Sequence, residues 1–272
     1  MNKKALILLL LSTVLTACVK ERDLSQNTVI AHILSQPDGL HPYNNNSVMR
    51  SYVFQYTQKT LLRLDLESLE YVPDLLKELP VSSEDNKTFY FELKDNIRWD
   101  DGSLLTAEDI EFSTKIMLCH LTDNSQIRPI YNSVIESVET DPKNPLKFTM
   151  RALDINWTAK TILGGIYIQQ KKYWDPSGIL DKLSFQQILS RSFKETDDIT
   201  NWFNDFNHAD NSFKPKKLQG LGPYIVSEWE PSQYITLTRK SSWWGSEDTS
   251  VYNKSYPEKI IFKVIREDAS SY

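Results

Sequence analysis

Residues 88–94 limit the possible folds of this chain more than any other segment. Their apolar side chains alternate with polar ones, the period-two pattern of a β-strand with one buried face. A turn rich in aspartate and glycine follows at residues 100–103. Thr106 and Asp109 then match a capping box, which opens a helix. The sequence therefore predicts a strand, a tight turn and a helix in direct succession.

Comparable patterns occur along the rest of the chain. Helices are predicted after Ser47 through about residue 59, with Val48, Tyr52, Tyr56 and Thr60 along one face, and over residues 154–163 before a Gly-Gly stop. Between residues 173 and 217 the pattern is too irregular to bound any helix. Further strands are predicted at residues 28–34, 146–151, 224–226, 235–239 and 260–265. The predicted fold class is mixed α/β.

Composition excludes several classes of protein. The 272 residues are 40% hydrophobic and 25% charged, which is typical of a globular protein and argues against disorder. A formal net charge of −5 gives no electrostatic reason to expect nucleic acid as a partner. Two cysteines are too few for a disulfide framework or a four-thiolate zinc site.

The N-terminus predicts export and anchoring. Lys3 and Lys4 precede an apolar run that is too short to span a membrane. The run ends in Leu-Thr-Ala-Cys18, which resembles the bacterial lipobox, where cleavage before the cysteine leaves an acylated, palmitate-bearing N-terminus. We expect residues 1–17 to be a lipoprotein signal peptide and residues 18–27 a tether to a bacterial membrane, with the protein facing the periplasm or the exterior. The alternatives are an ordinary secretory peptide or a chance cysteine.

Four blocks, in order, resemble the family 5 extracellular solute-binding proteins of ABC transporters. The first is Leu40-His41-Pro42, in which His41 replaces the usual acid, and the others are residues 71–79, 88–113 and 220–260. The resemblance covers about residues 28–268. It implies a class II periplasmic-binding-protein-like clamshell, of which this chain supplies the first lobe. Subdomain segments are expected at about 28–45 and 155–265, with an inserted subdomain at about 46–154.

The resemblance also implies that the second lobe is missing, because related proteins continue well beyond residues 269–272, which would be its truncated start. We therefore expect that the 272-residue chain alone does not enclose a ligand. Tight binding measured by calorimetry would contradict this expectation. The alternative is a short family member that pairs with a second polypeptide.

The implied function is that of a membrane-anchored substrate-binding component of an ABC transporter, which captures peptides and delivers them to permease subunits. Similar folds bind nickel complexes, haem or sugars, so the solute stays open. Amide and aromatic side chains can hold an extended peptide through hydrogen bonds and packing. The candidate ligand-binding residues are Asn44, Asn45, Asn46, Ser47, Tyr131, Trp243 and Ser246. A solvated loop with a helix cap, and core packing of Trp243, are the alternatives for these residues.

Other functions have less support in the sequence. No metalloprotease, nucleophile-elbow or phosphate-loop motif occurs, so we predict that the protein is not an enzyme and holds neither metal nor cofactor. Cys119 and His120 are adjacent, and on a helix they diverge by about 100°, which excludes a catalytic pair. A surface lipoprotein of the same fold that senses or contacts other proteins, without transport, is the remaining alternative.

Overall fold

The computed structural model describes residues 27–155, 158–248 and 253–265. The predicted signal peptide, the lipidation site at Cys18, the tether up to residue 26 and the segment 269–272 lie outside the described residues. Within those ranges, every helix is too short or too polar to cross a membrane.

The first sheet joins distant parts of the chain. It contains β1 (Thr28–Ile33), β8 (Tyr224–Glu230), β9 (Tyr234–Arg239) and β10 (Lys259–Val264), in the order β1-β10-β9-β8. Strand β1 pairs in parallel with β10, and the other pairs are antiparallel. Strand β1 forms an edge, where Val29 and Ile30 are 47% and 59% exposed. The strands predicted from the apolar runs are confirmed, although β8 extends further than its pattern indicated.

The second sheet holds the strand predicted at residues 88–94. Its order is β4 (Val81–Ser82), β5 (Thr88–Glu92), β7 (Lys147–Ala152) and β6 (Ile135–Thr140). Phe89 and Phe91 of β5 are buried as the alternation predicts, and the Phe91 ring stacks on Phe148 with centroids 4.8 Å apart. The sequence analysis did not identify β6. The short hairpin of β2 (Leu62–Leu64) and β3 (Tyr71–Pro73) lies in the chain between the helix that follows β1 and the first strand of this second sheet.

Eight helices lie in the described residues. Helix α2 begins directly after Thr106, and the Asp109 carboxylate accepts the Thr106 backbone N–H at 3.0 Å, as the capping box predicted. The helices are α1 (Val48–Thr57), α2 (Ala107–Leu118), α3 (Arg128–Asn132), α4 (Ala159–Gly164), α5 (Lys171–Trp174), α6 (Phe185–Ser190), α7 (Asp197–Asn207) and α8 (Asp210–Phe213), with short 3-10 turns at Leu180–Lys182 and Pro215–Lys217.

Helix α1 packs on the first sheet by a face other than the predicted stripe. Val53 and Phe54 enter the core of that sheet, and Arg50 is also buried. Val48 and Tyr52 of the predicted stripe are 63% and 41% exposed instead. The predicted face and the buried face both carry residues at helical spacing. The buried face contains Arg50, so it is the less apolar of the two and was not chosen from the sequence.

Gly222 lies where the chain crosses the C-terminal end of α1. Its backbone N–H donates to the Thr57 carbonyl at 3.0 Å, and a Cβ at this position would collide with the Tyr56 carbonyl oxygen. We expect Gly222→Ala to lower the free energy of unfolding by about 2 kcal/mol, since backbone atoms cannot yield as a flexible side chain can. Urea denaturation of the variant and of Gly165→Ala, whose Cβ would make ordinary contacts at 3.5 Å or more, measures the difference. Equal stabilities would contradict the steric argument.

Candidate functional site

The loop between β1 and α1 carries the predicted asparagines and is fixed by its own side chains. The Asp38 carboxylate accepts the backbone N–H groups of Asn46 and Ser47, each at 3.3 Å. Ser47 caps α1, and its Oγ accepts the N–H of Arg50 at 3.3 Å. Burial alone would raise the pKa of Asp38, but the hydrogen bonds from Ser47 and from the two backbone N–H groups lower it. Asp38 therefore stays ionised and holds the start of the helix.

His41 holds the turn of this loop through both of its ring nitrogens. Its Nδ1 accepts the backbone N–H groups of Tyr43 and Asn44 at 3.2 and 3.1 Å, and its Nε2 donates to the Phe206 carbonyl at 2.9 Å. This set of partners requires the neutral Nε2–H tautomer. The ring is fully buried, and burial lowers its pKa to about 4, with a smaller lowering from Arg50.

Arg50 closes the same loop from the helix. Its Nη1 donates to the carbonyls of His41 and Pro42, both at 3.1 Å, and the guanidinium lies 4.8 Å from the centre of the Phe54 ring. The side chain is 6% exposed, and burial lowers its pKa. Tyr167 packs on it at 5.9 Å. The loop is therefore held from both sides by buried groups.

The three asparagines have different environments. Asn45 braces the loop, because its Oδ1 accepts the His41 N–H at 3.0 Å and its Nδ2 donates to the Asp38 carbonyl at 3.3 Å. Asn44 donates to Asn207 Oδ1 at 3.2 Å. Asn46 is exposed and donates to the exposed Gln126 Oε1 at 2.7 Å. Only Asn46 of the three presents its amide to solvent.

We call the surface around Asn46 and Gln126 the amide face. It consists of Asn46, Ser47, Val48, Gln126 and Ile130. The bond between Asn46 and Gln126 brings the start of α1 beside the segment that leads into α3. Val48, the first residue of α1, and Ile130 of α3 are 63% and 55% exposed. Amide groups that can donate and accept hydrogen bonds and exposed apolar side chains are therefore both present on these two segments.

Tyr131 lies behind this face and is half-buried. Burial, with a smaller contribution from Tyr167, raises its pKa to about 12, while the nearby Arg50 opposes the rise. Its position connects α3 to the groups that fix the loop. Tyr131 is thus near Arg50, which fixes the loop of the asparagines, and its role in binding a ligand stays a prediction.

Trp243 and Ser246 lie elsewhere. The Trp243 indole is 8% exposed and donates to the Leu221 carbonyl at 2.8 Å, while its ring lies 5.7 Å from the Lys59 ammonium. Ser246 is exposed at the edge of a separate groove of about 790 Å³. Lys59 follows the C-terminal end of α1, and a ten-residue helix is about 15 Å long. The structure does not bring these two residues to the asparagines.

Sequence reasoning missed Gln126, Arg50 and Tyr167. Gln126 occupies a polar stretch with no motif around it. Arg50 had a usable signal, since it is a charged residue at the helical spacing of Val53, Phe54 and Thr57, all of which are buried. Its partners are backbone carbonyls, which no residue pattern reveals.

The groups considered for catalysis are engaged in structure. Cys119 is buried, and burial raises the pKa of its thiol to about 11. The Nε2 of His120 lies 3.0 Å from Glu195 Oε1. Over residues 27–155, 158–248 and 253–265, no three His, Cys, Asp or Glu side chains are grouped as metal ligands would be.

Comparison with known proteins gives consistent matches. The sequence profile of the bacterial extracellular solute-binding proteins, family 5 Middle, matches residues 70–272. The oligopeptide-binding protein OppA of Bacillus subtilis is 20% identical over 268 residues, which cover 89% of this chain and 43% of OppA. Among solved structures, the B. subtilis oligopeptide-binding protein AppA, in complex with a nonapeptide, matches with a TM-score of 0.63 and 17% identity over 88% of this chain and 40% of AppA.

A further structure, DppA from Helicobacter pylori in complex with the peptide STSA, matches with a TM-score of 0.63 and 14% identity over 89% of this chain and 43% of DppA. The chain spans less than half the length of each of these three relatives. The structural matches confirm the predicted mixed α/β, periplasmic-binding-protein-like fold. The subdomain boundaries near residues 45, 154 and 265 stay a prediction.

Proposed function

Because this chain belongs to the family 5 bacterial extracellular solute-binding proteins, we propose that it captures a peptide on its amide face, as one lobe of a binding protein that serves an ABC transporter. The observation that carries this proposal is the exposed pair of amides, Asn46 and Gln126, of which Asn46 is on a loop that buried His41 and Arg50 hold in place. A preorganised polar surface binds without first having to order its own side chains.

The charge of the site fits a peptide backbone better than an ionic solute. Asn46, Ser47 and Gln126 are neutral. The carboxylate of the neighbouring Asp38 already accepts hydrogen bonds from backbone N–H groups of the loop. Peptide N–H and C=O groups are neutral donors and acceptors that match amide side chains. Val48 and Ile130 supply apolar contact for the side chains of the peptide.

A lipid anchor would keep the binding protein close to the permease to which it delivers the peptide. In this proposal Cys18 is acylated after removal of residues 1–17, which places the protein on a bacterial membrane with its body in the periplasm or outside the cell. Metabolic labelling with a palmitate analogue, compared between the protein and Cys18→Ser, tests this part. Equal labelling of the two would contradict it.

Removal of the two exposed amides gives the test of the ligand site. The protein is purified from its native envelope and screened by thermal unfolding against a library of short peptides, since a ligand at a hundredfold excess over Kd adds about 2.7 kcal/mol. We expect a peptide that stabilises the protein to bind the double variant Asn46→Leu, Gln126→Leu about tenfold more weakly, because two hydrogen bonds are lost. The control is Asn204→Leu, an exposed amide on α7.

A photoreactive version of the same peptide distinguishes the two groups of candidate residues. Attachment at residues 44–47 or 126–131 supports the amide face, whereas attachment confined to Trp243 or Ser246 moves the site to the other end of α1. Binding to a single lobe is expected to be weak, so the screen extends to high peptide concentrations, and absence of stabilisation by any peptide under those conditions would overturn the proposed function itself.

A further inference from the structure

A concave surface that contains none of the residues of the amide face lies between α5, α7 and α8. It encloses about 620 Å³ and is walled by aromatic rings. Trp202 stacks on Phe206 with centroids 5.1 Å apart, Trp174 meets Phe206 edge-on at 5.0 Å, and Tyr173 meets Trp174 edge-on at 5.0 Å. Tyr173 is 39% exposed at the mouth. We call this surface the aromatic pocket.

Two indole N–H groups and one amide in its walls already make hydrogen bonds within the protein. The Trp174 indole donates to Gln169 Oε1 at 3.2 Å, and the Trp202 indole donates to the Trp174 carbonyl at 2.9 Å. The Asn211 amide donates to the carbonyls of Asp205 and Phe206 at 2.6 and 3.0 Å. The indole N–H groups are therefore not available to a ligand. Phe206 is 1% exposed, so the ring surface that a ligand can contact belongs to half-exposed Tyr173 and to the partly buried Trp174 and Trp202.

One carboxylate of the pocket is left uncompensated. Asp205 lies three residues after Trp202 on α7, so the two share a helix face, and its carboxylate has no hydrogen-bonding or ionic partner among the described residues. Asp210 is neutralised by Lys214 at 2.5 Å, and His208 Nδ1 accepts the Asp210 backbone N–H at 3.2 Å. Lys217, at the rim, is the remaining cation of the lining.

Aromatic faces next to a free carboxylate select for positive charge. The negative face of an aromatic ring attracts a cation within about 6 Å, and weakly hydrated cations such as alkylated ammonium groups lose least on leaving water. A neutral sugar would need several donors and acceptors for its hydroxyl groups, whereas the indole N–H groups of this wall already have acceptors within the protein. We propose that the aromatic pocket binds an organic cation of the alkylammonium class between Tyr173, Trp202 and Asp205.

Choline is the probe, and its uncharged isostere, in which a quaternary carbon replaces the nitrogen, is the matched ligand. In calorimetric titrations of the whole protein we expect choline to bind at least about tenfold more tightly than the isostere. We expect Asp205→Asn to weaken choline binding about threefold or more, and Tyr173→Leu to do the same. Asp198→Asn, an exposed acid on the same helix and outside the pocket, should leave it unchanged.

Asp205 and Tyr173 are both at exposed positions. Unchanged thermal unfolding of the Asp205→Asn and Tyr173→Leu variants would show that they fold. Equal binding of choline and the isostere would overturn the proposal in favour of a merely apolar pocket. Absence of choline binding, or unaltered binding by Asp205→Asn, would also overturn it. None of these outcomes bears on peptide capture at the amide face, because none of its residues lines the aromatic pocket.

Discussion

Asp109→Ala is expected to lower the free energy of unfolding by about 3–5 kcal/mol, the largest effect of any single substitution considered for this protein. The carboxylate is 5% exposed and accepts three hydrogen bonds: from the Thr106 N–H at 3.0 Å, the Lys171 N–H at 2.8 Å and the Trp99 indole at 3.3 Å. Removing it leaves the buried Trp99 indole N–H and two part-buried backbone N–H groups without an acceptor. Urea denaturation at neutral pH measures the loss.

The adjacent residue supplies a matched control for this effect. Glu108 is in the same first turn of α2 and pairs with Lys171 at 3.2 Å, but its side chain is 66% exposed. Exposed ion pairs contribute little, so Glu108→Ala should cost less than about 1 kcal/mol. If the two variants lost similar amounts, helix-end electrostatics rather than the buried hub would explain the effect. Asp109→Asn, which retains one acceptor oxygen, should be intermediate.

His41 is expected to make the protein less stable by about 3 kcal/mol between pH 7 and pH 4. Its pKa falls from 6.5 to about 4 on folding, mainly because burial penalises the charged ring, and each pKa unit corresponds to about 1.4 kcal/mol. Between pH 6.5 and 4, the unfolded chain therefore binds a proton at this histidine, whereas the folded protein does not. Stability is complete above pH 6.5, falls as the pH drops from 6.5 towards 4, and below 4 is no longer affected by this group.

Carboxylates titrate near the same range, so the test compares two pH profiles. Asparagine at position 41 can still accept backbone N–H groups, as Asx turns do, but it does not titrate. The unfolding free energy of His41→Asn should therefore lack the decline between pH 6.5 and 4 that the unaltered protein shows. His32→Asn, at an exposed position in β1, is the control and should follow the unaltered profile. Parallel profiles for His41→Asn and the unaltered protein would show that the ring is protonated in the fold.

Protonation of His41 would also disturb the amide face, because it removes the hydrogen-bond acceptor at Nδ1. The N–H groups of Tyr43 and Asn44 would then lose their partner, and the loop up to Ser47 would lose one of its two buried anchors. Arg50, the other anchor, keeps its charge at every pH in question and would face a second positive group.

The parts of this fold that could be predicted depend on neighbours in sequence. Alternation over residues 88–94 predicts β5, because the side chains of a strand point alternately to its two faces. Thr106 and Asp109 predict the start of α2, because a cap is made within three residues. The stretch at residues 173–217 was not resolved into helices from the sequence, because most of its helices have only three to six residues. Helix α7 is the exception, since its buried residues Ile199, Phe203 and Phe206 lie at helical spacing and were a usable signal.

The candidate site was predictable only in part, for a related reason. Asn46 could be singled out from its amide-rich loop, but its partner Gln126 is 80 residues away. The role of His41 depends on the Phe206 carbonyl, 165 residues away, and no local pattern contains that contact. Grouping Trp243 with the asparagines assumed that two distant segments meet, whereas α1 keeps them apart by its own length.

Strand β1 has a consequence for how the protein behaves at high concentration. Residues 28–33 contain neither lysine, glutamate, aspartate nor proline, and half of their backbone groups point away from β10, at an edge that no other strand of the described residues covers. Natural edge strands usually carry such residues as gatekeepers against cross-β aggregation. With Val29 and Ile30 exposed on opposite faces, this edge is a template on which another extended chain can grow, and aggregation of the protein should begin there.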